Sequence, residues 1–531
     1  MEMFTVPPSQ QSQCNLKRRS LFLAFRERSR WFAAGCGLWR RFSSSGVGTS
    51  HLRGKLLAWI FMVVSLYAFA AMVIARELVI PSVFPAAVAG NIPGDPDYYH
   101  RLALERVEAI REGGISELQL RPEGQGPAGL ASLVYLVNPS PYSFVLINAL
   151  SHGLSALMMA MLVMRWFSVR AALVAIAPLV ISPYMMVWFF QLNKDSLVLS
   201  GVLMLVYGLV RFVTAKERVP VREGMISLLF MGGGVVLLWT MRPYLNQVLL
   251  PIIAVLLVFS LGWRAMGGHL SFSGGAVFAL YGLILIACLG VLGQGAASSE
   301  TIRRLESFDF DIDGAVGNEA SGYREGKSVA ARCLDRIKAE VWRDENALPD
   351  YVNRKLRAMM GQRCLTFTLL ETQKNSTVLK SMVDVDRWPA GSLEALGYLP
   401  RALMLGFFAP WPDDWSYVFR NGPSFFYMVV PLEAFLLYAG LLGLGFWAWR
   451  TRMWVTLIPL FLSVGVSLAY GMTTPFLGVL YRYRFPFWII IICLGIAAMM
   501  DLRARRGGEC RSGETGLDVS ELGSTESLRQ G

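Results

Sequence analysis

The sequence predicts an all-α polytopic membrane protein with about ten transmembrane helices and a large, mainly helical outer loop. Two observations carry this. The chain of 531 residues is 54% hydrophobic with a mean hydropathy of +0.44, far from the composition of a soluble globular domain. Its apolar residues also arrive in runs of roughly 17 to 25, the length of helix that crosses about 30 Å of hydrocarbon. Strands of a membrane barrel would alternate in polarity, and these runs do not.

In chain order the runs fall near 56–76, 142–164, 170–190, 196–213, 225–241, 245–263, 276–293, 424–447, 453–470 and 485–500. Arg165 and Arg170, then Arg211, Lys216, Arg218 and Arg222, then Arg264, Arg450 and Arg452, and finally Arg503, Arg505 and Arg506 all lie on one side if the N-terminus is inside. Both termini are therefore expected in the cytoplasm, and Asp97, Lys194, Arg242 and Arg484 at the outer boundary. The same bias accounts for the net charge of +12, so nucleic acid is not expected as a partner.

This order divides the chain into a basic cytoplasmic region 1–54, an N-terminal membrane module 55–293 with a first outer loop 77–141, an extracytoplasmic loop domain 294–423, a C-terminal membrane module 424–500 and a cytoplasmic tail 501–531. Region 1–54 mixes arginines with aromatics, which suits either an interfacial helix or a disordered basic tail. Its apolar runs are broken by arginine and no small-residue cleavage site follows, unlike a cleavable signal peptide. The tail from Gly507 is polar and Gly/Ser-rich, a composition of disorder. Within the loop domain, Pro349 separates two amphipathic helical stretches, and "LPRALMLGFFAPWPDDW" is apolar but broken by prolines, so it is expected to dip into the outer interface. No internal repeat is evident.

Seven cysteines in a chain this long form no disulfide framework. Only Cys333 and Cys364 share the large outer loop, and an oxidising compartment would permit a disulfide between them.

The candidate functional residues lie where the chain leaves the membrane. In "NIPGDPDYYHRLALE", Asp95 and Asp97 flank Pro96, which favours an extended backbone. Two carboxylates so placed suit a divalent cation, Mg²⁺ or Mn²⁺. They equally suit a solvated turn after a helix. Tyr98 and His100 follow as candidates for lining a cavity. Lys194 and Asp195, in "QLNKDSLVL", stand at an outer turn, either as a helix cap with a snorkelling lysine or as a contact for an anion. Arg242 joins two spans through Pro243 and is a similar phosphate-binding candidate. Arg482 and Arg484, in "YRYRFPFW", present two planar guanidiniums on the side where arginine is statistically disfavoured, which suits bidentate binding of phosphate or pyrophosphate. Glu433 lies inside a span, where a carboxylate ordinarily faces a cavity or a partner. The stretch "DFDIDG" begins like a calcium loop but lacks the acidic twelfth position, and the four histidines have no zinc spacing.

The stretches "GDPDYYHRLALE", "GPAGLASLVYLVNPSPYSFVLINAL", "SPYMMVWFFQLNKDSLVL" and "YRYRFPFW" together resemble the integral-membrane glycosyltransferases of the C-type superfamily, in particular the bacterial branch related to protein mannosyltransferases and lipopolysaccharide-core sugar transferases. The resemblance implies a bacterial inner-membrane enzyme whose donor sugar rides on a polyprenyl phosphate and is transferred on the outer face to a glycan, lipid or protein acceptor. It further implies that an aspartate of the first outer loop, Asp95 or Asp97 here, acts as base or holds a metal. A second acidic motif in the next outer turn is missing; Lys194-Asp195 stands there. The competing classes are an envelope-polysaccharide polymerase or ligase and a transporter or flippase of lipid-linked saccharide.

Overall fold

A computed structural model describes residues 49–83, 95–182, 188–214, 221–266, 342, 348–372, 382–384, 387–409, 411 and 424–514. The chain divides into two units, Met1–Ile60 and Phe61–Gly531. In the first, only the start of one helix is described. The regular structure of the described residues is helical with no strand; isolated bridges occur, one of them between Met382 and Phe476. This is a helical integral membrane protein: eight helices among the described residues are long and apolar enough to cross a bilayer, namely Arg53–Ser82, Pro141–Val163, Asp195–Val213, Glu223–Met241, Pro243–Ser260, Val430–Thr451, Val455–Thr473 and Leu477–Arg505.

We number the helices in chain order: α1 Thr49–Ile74, α2 Asp95–Gly113, α3 Gly126–Tyr135, α4 Pro141–Val163, α5 Val169–Ala175, α6 Ala177–Ile181, α7 Asp195–Val213, α8 Val221–Met241, α9 Pro243–Met266, α10 Asp350–Thr372, α11 Ser392–Gly397, α12 Leu399–Leu403, α13 Ser424–Thr451, α14 Ile458–Thr473 and α15 Leu477–Glu514. Helix α1 continues through a π-helical turn, Ala75–Val79, into Ile80–Val83.

Three sequence expectations are corrected here. The expected span 170–190 is broken into the short helices α5 and α6, with Pro178 opening the second and Ser182 leaving helical geometry at its end. The run 188–194 is largely irregular backbone, tolerated at membrane depth only where protein buries it. The last span begins at Leu477 rather than near 485, and its helix runs on to Glu514 through the start of the tail expected to be disordered. The expected span 276–293, the calcium-like loop and Cys333 lie outside the described residues.

Helix α15 is the axis of the fold. Phe487 to Leu494 are all buried, as expected of a helix that is apolar on every side. It meets α13 through glycines: a Cβ at Gly495 would stand 2.2 Å from the Gly440 Cα, so only glycine permits this approach. The outward faces of the peripheral helices carry exposed apolar side chains, among them Leu66, Leu229, Val258, Phe435 and Leu442, as membrane-spanning helices do.

The described parts of the two segments expected outside, 77–141 and 294–423, are tied to the same end of the bundle. Helix α3 abuts the end of α8, where a Cβ at Gly126 would lie 2.0 Å from the Thr240 carbonyl oxygen. Helix α10 starts directly after Pro349, as its sequence predicts. Its fully buried Arg363 donates to the carbonyls of Gly471 and Val383 at 3.1 Å each. Cys364 beside it is buried and disulfide-bonded. The apolar stretch 399–408 is a short helix that does not reach spanning length. It packs backbone to backbone on α14, where Cβ atoms at Gly406 and Gly471 would lie within 2 Å of the Ser467 and Ala402 carbonyl oxygens.

Candidate functional site

Antiparallel succession of the spans brings the start of α2, the start of α7, the α8–α9 junction and the first turns of α15 to one end of the bundle. Asp195 is the centre of the group that assembles there. It is the first residue of α7 and buried. Its carboxylate accepts from Arg242 Nη2, and from Arg482 Nε at 2.5 Å. A carboxylate at a helix N-terminus is already favoured by the exposed N–H groups and the dipole. Two guanidiniums add to that, and burial makes the pairing strong but also obligatory.

Arg242 has no exposed surface. Its guanidinium lies 4.3 Å from the centroid of the Tyr483 ring, whose other neighbours include Tyr244 and Tyr470. Arg482 is largely buried as well. It donates to the side-chain oxygen of Asn193, stacks 4.5 Å from the Trp188 ring and approaches Asp95 with Nη1 3.7 Å from Oδ2. Lys194, half-buried, donates its Nζ to the Tyr99 hydroxyl at 3.2 Å. Burial and the neighbouring Arg242 and Arg482 charges push this ammonium down to about 8. Burial raises the Tyr99 phenol. Three cations thus face the two carboxylates Asp95 and Asp195, one positive charge in excess, which is the condition for attracting a single anionic group.

Beside this polar group, Trp188, Phe189, Leu199, Phe485 and Pro486 line a small apolar recess with Asp195 and Arg482 at its wall, with room for little more than one water molecule.

The sequence-predicted residues divide accordingly. Asp95, Lys194, Asp195, Arg242 and Arg482 converge. Asp97 does not join them. The backbone expected to be extended around Pro96 is the first turn of α2, where proline is well tolerated. Residues two apart on a helix point about 200° from each other. Asp97 therefore pairs with the exposed Arg101 on its own helix, Nε to Oδ2 3.7 Å, while Asp95 turns to Arg482. Two carboxylates facing different ways do not fit one Mg²⁺ or Mn²⁺ ion, and no group of three metal-ligating side chains occurs among the described residues.

Arg484 departs from Arg482 for the same reason. Fully buried, it donates Nη1 to the carbonyls of Leu405 and Gly406 at 3.0 and 3.2 Å, and Nη2 to that of Ala409. It caps the end of the 399–408 helix, as cations do, with Trp488 Nε1 donating to Phe407 O at 3.1 Å beside it. It is a structural clamp and not a second ligand-facing guanidinium. Glu433 is buried and accepts from Ser182 Oγ at 2.7 Å and from the Tyr481 hydroxyl. Tyr98 donates to Glu123 on the exposed side of α2. His100 Nδ1 lies 2.9 Å from the Tyr135 hydroxyl, and burial lowers its proton affinity.

Sequence reasoning missed Trp188, Asn193 and Tyr99. Asn193 adjoins the singled-out Lys194-Asp195 pair and was within reach of it. Trp188 read as one more aromatic of a span.

Comparison with protein-family models gives no match for the chain, and comparison with curated proteins gives none either.

Proposed function

We propose that this chain is a membrane glycosyltransferase that moves a sugar from a polyprenyl-phosphate donor to an acceptor hydroxyl on the extracytoplasmic face of a bacterial inner membrane. The observation that carries the reading is the pairing of a half-exposed carboxylate, Asp95, with the guanidinium of Arg482 3.7 Å away, beside Lys194 and Asp195. Such a reaction needs a base, a phosphate holder and a groove for the lipid.

In the proposed reaction Asp95 takes the proton of the acceptor hydroxyl as its oxygen attacks the anomeric carbon. The bond from that carbon to the phosphate oxygen breaks, and polyprenyl phosphate leaves with the electron pair. Arg482 and Lys194 hold the phosphate charge. Asp195 and Arg242 keep Arg482 in place from beneath. Glycan, lipid and protein acceptors all supply the hydroxyl that this chemistry uses.

The Lys/Arg bias supports cytoplasmic termini and an outer site. Reporter fusions at Gly322 and Gly531 should report opposite compartments, and matching compartments would defeat that orientation. The enzymatic reading is tested by incubating the purified protein with polyprenyl-phosphate sugars and following sugar transfer or release. A second reading, a transporter of lipid-linked saccharide, draws on the buried Glu433 within α13. Movement of lipid-linked saccharide across vesicles without any transfer would favour it.

A further inference from the structure

The cations of the site hang on a stretch of irregular backbone, and one buried side chain holds that stretch at both ends. Asn148, two turns into α4, has no exposed surface. Its Nδ2 donates to the carbonyls of Phe189 and Gln191, both at 2.7 Å. Its Oδ1 accepts from Ser196 Oγ at 2.6 Å. Both amide protons and the amide oxygen are therefore used, one set before the segment Leu192–Asp195 and the other just after it. Nothing but a primary amide supplies two donors and an acceptor in that space. A turn further along, Ser151 donates to Ser196 O at 2.9 Å and meets Ser200 Oγ at 2.7 Å, so the start of α7 is zipped to α4 by polar groups.

The bracketed segment carries Asn193, Lys194 and Asp195. Arg482 donates to the first and third of these, although it belongs to a helix nearly three hundred residues later in the chain. The position of the Arg482 guanidinium is thus referred through Asn193 and Asp195 to Asn148. Irregular backbone between membrane helices has few other ways to stay in one conformation.

We propose that Asn148 is a positioning residue for the anion site: it sets the Phe189–Ser196 backbone and through it aims Arg482 at the phosphate of a lipid ligand. The proposal rests on the reading of the cluster as a lipid-phosphate site, and its test separates the two.

The first measurement is hydrogen exchange on the full-length protein in detergent. Asn148→Ala should raise exchange in peptides covering 188–196 while leaving the middle of α7 and α15 protected. The second is binding of a polyprenyl phosphate in mixed micelles. Asn148→Ala should weaken it about tenfold or more, a loss of about 1.4 kcal/mol or more. In an Arg482→Ala background the same substitution should add little, because the two act through one contact. Ser155→Ala removes a hydroxyl bonded at 2.9 Å to Ser200 in the same helix pair but outside the bracket, and should leave binding unchanged. Unchanged exchange over 188–196 in Asn148→Ala overturns the proposal, and so do additive losses in the double variant. If the unsubstituted protein binds no polyprenyl phosphate, the functional reading fails, and the exchange result still decides whether Asn148 holds the segment.

Discussion

Replacing Asp95 and Asp97 separately by Asn tests the site most directly, since the two aspartates are two residues apart and the structure gives them different work. Asn preserves volume and removes charge. Asp97 makes an exposed i,i+4 pair with Arg101 at 3.7 Å, an interaction worth about 0.3–0.5 kcal/mol. Even if all of it bore on the rate, the change would be about twofold. Asp95 stands 3.7 Å from Arg482, its side chain 56% exposed. That pair contributes at most about 1 kcal/mol to stability, so the Asp95→Asn protein should fold. Loss of a general base costs about a hundredfold to ten-thousandfold. The assay is transfer of labelled sugar from a polyprenyl-phosphate donor by purified protein, with thermal unfolding in the same detergent as the folding control. Asp95→Asn should lose at least about two orders of magnitude in kcat while Asp97→Asn stays within about twofold. Equal losses in both variants, or a wild-type rate in Asp95→Asn, would refute the assignment.

Asp195→Asn should destabilise the protein by about 3–5 kcal/mol, because it strips a buried Arg242 of its counter-charge; adding Arg242→Met should restore much of that loss in a denaturant titration. Arg484→Lys cannot reach all three carbonyls that the guanidinium serves, and a loss of about 3 kcal/mol is expected from two charge-assisted bonds, measured by the same titration. Lys194 has its proton affinity lowered to about 8 in the folded protein, so above that pH the unfolded chain binds more protons. Stability should therefore rise between about pH 8 and the ordinary lysine value near 10.4, and Lys194→Met should flatten this rise. Polyprenyl-phosphate binding should weaken as the pH rises through about 8, where the folded protein loses this ammonium.

The parts of this protein that answer to the bilayer were legible in the sequence. Hydrocarbon demands long apolar helices, and seven of the eight spans described fall on runs picked out by length with their ends near the expected residues; the last, Leu477–Arg505, was recognised but started too late. Charge bias along the chain likewise pointed to one end for Asp97, Lys194, Arg242 and Arg484; Lys194 and Arg242 meet there with the neighbouring Asp95 and Arg482, while Asp97 and Arg484 turn to other partners. Local pattern could not say which of two neighbouring like charges faces the site. That depends on whether the backbone is helical at that point, and a shift of helix start from near 485 to Leu477 puts Arg482 and Arg484 on different sides of α15. Nor could it find the partner of Asp195. The guanidiniums that hold it come from positions 47 and 287 residues away, and no spacing rule spans such distances. Only the packing of α4, α7, α9 and α15 decides them, because a buried charge takes whatever counter-charge the tertiary fold delivers to it.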